Sequence, residues 1–287
     1  MTVFSLLAMF QCCVWNTWGP VVNVVKVVFP SWTQGTISLL ANWTAIAFLV
    51  FMIPVLYLQN KSLRSSILLT SSLIALGTSV RCMFLIFPSI SDSKFTLLCH
   101  LGAILNGIPS IVVTSAPPAV SSAWFPADER VTATSISQML NNMGTGLSFL
   151  LASLIVKDPG GLNTSQNVSS QYREEMRHSV NTYLIVLTVP AIILFGCSIL
   201  YFPSKPPKPP SRSSREERLN FVVGAMVLLR NPSSWLLAIV WSVPQAIWNN
   251  WCAMMVMSLT GLSCDGHSLT EQWINILGLS AILTGER

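Results

Sequence analysis

The residues with chemistry to offer stand where this chain is least polar. Val14-Trp15-Asn16-Thr17-Trp18-Gly19-Pro20 sets two indoles, an amide and a hydroxyl beside a Gly-Pro pair. The theme recurs at Asn106-Gly107-Ile108-Pro109, at Gln138, Asn141 and Asn142, and at Gln245, Trp248, Asn249, Asn250 and Trp251. Indole faces attract cations and stack on flat rings, while amides both donate and accept, so the set suits a small neutral or cationic solute. A phosphorylated or dicarboxylate solute would call instead for Arg or Lys deep in the same segments. Trp15, Asn16, Trp18, Asn106, Gln138, Asn142, Gln245 and Trp248 are therefore the expected solute-binding residues. The competing reading gives the indoles to an interfacial belt and lets each amide hydrogen-bond a neighbouring helix, at about 1 kcal/mol apiece.

Ionisable groups are scarce in the same runs. No Asp or Glu occurs in the complete ones, and Lys26, Arg81 and His100 are the ionisable side chains at depth. Lys26 and Arg81 are expected to snorkel to the nearer surface, Arg81 toward Pro88. His100 titrates between pH 5 and 8 and is the expected proton-coupling group. The seven Cys show no metal spacing, and no nucleophile-base or redox constellation stands out. The expectation is a protein that is not an enzyme, with no cofactor and no metal.

These residues must be positioned by membrane helices. Of 287 residues 52% are hydrophobic and 9% charged, against about 25% charged in a soluble domain. Seven apolar runs reach the roughly 20 residues that a bilayer demands: Val3 to Val25, Thr36 to Leu58, Ser66 to Phe87, Phe95 to Pro118, Val131 to Val156, Val180 to Phe202 and Ser234 to Leu259. An eighth begins near Glu271 and stops at Arg287, so the chain reads as incomplete, and Met1 stands almost directly on the first run. Lys61, Arg64, Arg130, Lys205, Lys208, Arg212, Arg215, Arg218 and Arg230 outnumber the basic residues of the alternate loops, which places the N-terminus inside. Asn163-Thr164-Ser165 and Asn167-Val168-Ser169 are glycosylation acceptors in a loop that this orientation puts outside. A heptahelical receptor would need the opposite orientation. The net charge of +5 reports cytosolic loops and implies a lipid bilayer, not nucleic acid, as partner.

Pro203-Ser204-Lys205-Pro206-Pro207-Lys208-Pro209-Pro210 cannot pack as a core and marks a boundary. The organisation is a six-helix transmembrane unit over 1–202, a basic proline-rich cytosolic linker over 203–233 with a surface helix from Arg215 to Arg230, and the start of a second transmembrane unit over 234–287. Six spans, a long basic linker and further spans are the arrangement of major facilitator transporters. The expected fold is an all-α polytopic membrane protein of major facilitator type, one six-helix half plus part of the other. The expected function is secondary active transport of a small organic solute. A truncated, non-transporting membrane protein that binds partners is the alternative.

The chain also resembles solute carrier family 49, in Val14 to Pro20, Leu68-Leu69-Thr70-Ser71, Leu76-Gly77-Thr78, Arg81-Cys82, Leu105-Asn106-Gly107, Trp124-Phe125, Ala127-Asp128-Glu129-Arg130, Ala133-Thr134 and Tyr201-Phe202-Pro203. The resemblance implies twelve spans and a proton-coupled lysosomal exporter of a pyridoxine-type vitamin, with haem or choline as substrates of other members and the plasma membrane as the other location. It also implies an inner gate held by Glu129, with Arg130 and Arg64 as its basic neighbours. One departure weakens that gate: the D-x-x-G-x-R spacing after the second span is filled by Gln59, Ser62 and Arg64.

The orientation has a direct test. Glycosidase digestion of the expressed protein is expected to shift its band, and Asn163→Gln combined with Asn167→Gln to abolish the shift. An unshifted band, with protease reaching the Lys205 region from the lumenal side, reverses the topology.

Overall fold

A computed structural model describes residues 1–87, 90–157, 169–203, 221–259, 263–264, 267–268, 274–278 and 280. Asn163 and Asn167, and the basic linker residues 204–220, lie outside the described residues. The helices in order are α1 (Thr2–Trp15), a single 3-10 turn (Gly19–Val21), α2 (Val22–Val28), α3 (Gln34–Lys61), α4 (Leu63–Arg81), α5 (Asp92–Trp124), α6 (Arg130–Ile155), α7 (Ser170–Tyr201), α8 (Phe221–Arg230) and α9 (Pro232–Leu259). Residues 263–264 and 267–268 form a minimal antiparallel pair, and residues 274–278 are helical.

The first expected span is not one helix. It breaks after Trp15, because Pro20 has no N–H to bond back to Asn16 and its ring crowds that carbonyl, while Gly19 removes any helical bias at the same point. Proline alone does not break the others: Pro54, Pro109, Pro117, Pro118, Pro190 and Pro244 all lie inside continuous helices. By length and apolar composition α3, α4, α5 and α7 each suffice to cross a membrane, and α8 and α9 do so together across an 85° bend. The first span is too short in either piece, and α6 is diluted by Gln138, Asn141, Asn142 and its Ser, Thr and Gly residues. α7, by contrast, begins ten residues before its apolar stretch and carries Glu174, Glu175 and Arg177 there.

Helices pack where side chains are small, as expected when lipid removes the hydrophobic drive between spans. α4 meets α5 at Gly77 and Gly102, where a Cβ on Gly102 would lie 2.6 Å from the Gly77 carbonyl and 2.7 Å from Arg81 Nε. α3 meets α5 at Gly107, against Ala47 and Thr44, and α1 meets α6 at Gly144, against Met9 and Cys12. α7 covers α4 and the two pieces of the first span with Tyr183, Leu184 and Leu187, all buried. The far sides of the helices carry bare apolar residues such as Leu49, Leu154 and Leu200, at 73–81% exposure, which fits a surface that faces hydrocarbon.

At one end Phe29 stacks on Trp32 and Phe95 (5.0 and 5.1 Å between centroids), and Trp32 donates Nε1–H to Thr96 Oγ1 (2.7 Å). Arg177 lies over Phe29 and pairs with Asp92 at 3.2 Å, so α2, α5 and α7 are tied there. α8 turns into α9 at Asn231, whose Oδ1 accepts from the Ser233 backbone N–H (3.0 Å), while Trp235 Nε1 donates to the Leu229 carbonyl. α9 then packs on the 3-10 turn and α2.

The Gly77–Gly102 contact sets a prediction. Gly102→Ala is expected to cost about 1–3 kcal/mol by overpacking, read as a lower thermal midpoint in lipid nanodiscs. Gly196→Ala, with nothing within 4 Å of its added methyl, is expected to leave the midpoint unchanged.

Candidate functional site

A cavity of 370 Å³ opens between α1, α3, α5, α6 and α9. Among its described lining residues none is charged. The break after Trp15 lets that indole end α1 on the cavity wall, α6 brings Gln138 and Asn142, and α9 brings Gln245 and Trp248. Five of the eight expected solute-binding residues therefore converge.

Asn16, Trp18 and Asn106 are placed elsewhere, each nearly fully buried. Asn16 Nδ2 donates to Ser148 Oγ on α6 (2.9 Å). Asn106 exchanges bonds with Gln11: Gln11 Nε2 donates to the Asn106 carbonyl (3.2 Å) and Asn106 Nδ2 to the Gln11 carbonyl (3.5 Å). Trp18 packs edge-on against Trp32, 5.2 Å between centroids. The two amides share a physical reason: with no water in reach, each bonds the neighbouring helix where that helix presents a partner, while Trp18 is held by ring packing.

The cavity also uses residues outside the expected set. Gln11, Cys12, Asn42, Thr44, Asn141, Asn249 and Asn250 line it. Asn141, Asn249 and Asn250 share segments with expected residues; Gln11 and Asn42 carry no local signal that separates them from other polar residues of α1 and α3 such as Ser5 and Ser38. Their face toward the cavity depends on how α1 and α3 are rotated against α5 and α6. Some amides are already committed, Asn141 Nδ2 to the Ala8 carbonyl (2.9 Å) and Asn250 Nδ2 to the Ala246 carbonyl (2.9 Å).

His100 stands on the α3–α5 seam, where its Nδ1 accepts from Trp43 Nε1 at 2.9 Å. It does not line the cavity, but Trp43 lies between Asn42 and Thr44, which do. Arg81 does not snorkel. It is 2% exposed, donates from Nη1 to Thr17 Oγ1 (3.1 Å) and lies 5.9 Å from the Trp18 ring centre, inside the bundle. A guanidinium that finds Thr17 and an indole face across the seam has no need to reach the surface.

The expected gate residues collect at the opposite end. Glu129 is exposed at the N-cap of α6, Arg130 donates Nε–H to the Phe125 carbonyl (3.2 Å), and Arg64 lies half-exposed in the first turn of α4. Asp128 and Glu129 border a second cavity of 480 Å³ with Met1, Ser5 and Thr132.

The chain was compared with known proteins. The model of the Major Facilitator Superfamily matches residues 3–285. Solute carrier family 49 member 4 homolog of Xenopus tropicalis is 31% identical over 260 residues, covering 91% of this chain and 56% of that protein. Choline/ethanolamine transporter FLVCR1 of Mus musculus is 26% identical over 220 residues, covering 74% of this chain and 37% of that protein. The resemblance to solute carrier family 49 read from the motifs thus extends along most of the chain, which spans about half the length of these relatives. In fold it is similar to a crystal structure of a bacterial homolog to human lysosomal transporter Spinster, inward-facing and occupied (TM-score 0.64, 14% identity, 98% of this chain and 58% of that one). It is also similar to the crystal structure of D-xylose-proton symporter (TM-score 0.55, 14% identity, 99% and 65%). Those likenesses concern the fold; the sequence match across residues 3–285 gives the family, and the chain belongs to the Major Facilitator Superfamily of multi-pass membrane transport proteins.

Proposed function

We propose that this chain binds a small neutral or cationic organic solute for secondary active transport, in the cavity closed by Trp15 and Trp248. The observation that carries the reading is the lining itself: indoles and amides with no charged side chain among the described residues. A cation gains from the indole faces and a flat heteroaromatic ring stacks on them, while Asn42, Gln138, Asn142 and Gln245 supply donors and acceptors for hydroxyls. A dianion would be held there without any counter-charge and at a large desolvation cost. Pyridoxine-type vitamins fit by the family resemblance, and choline fits through the similarity to FLVCR1.

The Trp43–His100 bond supports coupling to protons. An indole N–H is only a donor, so His100 Nδ1 must be unprotonated to accept it; an imidazolium has two donors and loses the bond. Protonation would release Trp43 and shift Asn42 and Thr44 on the cavity wall. Glu129, Arg130 and Arg64 would act at the inner gate. Lysosomal or plasma membrane placement, and glycosylation at Asn163 and Asn167, complete the reading.

Two measurements test it. Trp15→Ala or Trp248→Ala is expected to weaken binding of radiolabelled choline or pyridoxine by about 1–2 kcal/mol, or roughly 5- to 30-fold, with Trp241→Ala on the exposed side of α9 as the unaffected control. Equal affinity in all three returns the indoles to a packing role. For coupling, His100→Gln and Trp43→Phe are both expected to flatten the pH dependence of uptake between pH 5 and 8, because each removes the bond that protonation breaks. A His100→Gln profile that superimposes on wild type moves coupling to another group.

A further inference from the structure

A positive charge is enclosed in the bundle with no acidic side chain paired to it among the described residues. Arg81 closes α4 at 2% exposure, and its one hydrogen bond among the described residues runs from Nη1 to Thr17 Oγ1 (3.1 Å). Thr17 brings no charge, and its own proton goes to the Val14 carbonyl (2.6 Å). The Trp18 face at 5.9 Å and the carbonyl end of α4 offset part of the charge, but neither is a counter-ion. Arg177 at the same end of the bundle shows the contrast: it is partly exposed and still pairs with Asp92.

Several buried donors among the described residues lack a partner. Arg81 Nε, Trp18 Nε1 and Tyr183 Oη are all buried and unpartnered. Tyr183 is fully buried on α7, which packs against α4. Cys82 is engaged with Thr188 Oγ1 at 3.1 Å. The unpartnered Oδ1 of Asn16 belongs to a side chain that Ser148 holds toward α6. Surplus N–H and O–H groups around a full positive charge favour a guest that accepts hydrogen bonds and carries negative charge. Close packing limits its size: Gly102 lies so near that a Cβ there would be 2.7 Å from Arg81 Nε.

We propose that Arg81, Trp18 and Tyr183 form a buried site for one small monovalent anion of chloride size. It is separate from the solute cavity, whose lining includes none of the three. The anion neutralises Arg81 and, through the Arg81–Thr17 bond, fixes the unwound segment that follows Trp15. Its occupancy therefore sets how firmly the first span is held, independently of which solute the cavity takes.

The test uses the full chain in zwitterionic nanodiscs, with chloride replaced by gluconate at constant ionic strength. Chloride at ten times its dissociation constant is expected to shift the unfolding equilibrium about eleven-fold and raise the melting midpoint. Arg81→Met is expected to abolish the chloride effect, and Arg177→Gln to keep it. Equal melting of wild type in both salts overturns the site, as does a chloride effect that survives Arg81→Met. A second readout does not need the Arg81 variant to fold. Iodide is expected to quench, saturably and in competition with chloride, the emission component that Trp18→Phe removes; linear, collisional quenching of that component overturns the site.

Discussion

A carbonyl freed inside a membrane has no water to turn to, and the structure is organised around meeting that constraint at the break between Trp15 and Pro20. The segment is gripped on every side. Thr17 returns its hydroxyl to the Val14 carbonyl, Arg81 from α4 reaches Thr17, and Asn16 reaches Ser148 on α6. Asn275, buried in the short helix at 274–278, donates to the Pro20 carbonyl at 3.3 Å. Two carbonyls flanking the break, those of Val14 and Pro20, are thus met by the side chains of Thr17 and Asn275, while Arg81 and Ser148 hold the segment through its side chains.

The break pays for itself in placement. A continuous first helix would keep rotating Trp15, Asn16 and Trp18 by about 100° per residue round one axis. Ending α1 at Trp15 leaves that indole on the cavity, while the next residues turn into the bundle as anchors. The amides divide in the same way: Asn16 and Asn106 are spent on seams, Gln138, Asn142 and Gln245 face the space toward α9, and Gln11 and Asn141 do both.

The two ends of the bundle differ in character. The end near Arg81 and Arg177 is fastened by stacked aromatic rings and by ion pairs at Asp92 and between Lys157 and Glu175 (3.6 Å). The end near Glu129 has an open cavity and exposed acidic residues. His100 on the α3–α5 seam lies between these ends, joined to the cavity wall through Trp43.

Composition and apolar run length determined the class by themselves, because only helices satisfy their own backbone over a bilayer's width, and a run of about 20 apolar residues has few other uses. The resemblance carried by residues such as Trp124, Phe125 and Arg130 was equally legible. What the sequence could not contain was direction around each helix axis. Arg81 reads from the chain as a residue ten ångströms or so from water, and only the packing of α4 against α5 and α7 turns it inward to Thr17 and Trp18. Gln11 and Asn42 look like any other polar residues of their helices until α1 and α3 are set against their neighbours, and Asn16 and Asn106 look like lining until Ser148 and Gln11 are brought beside them. Which polar group becomes cavity and which becomes seam is decided by partners a hundred residues away, and those only the tertiary structure supplies.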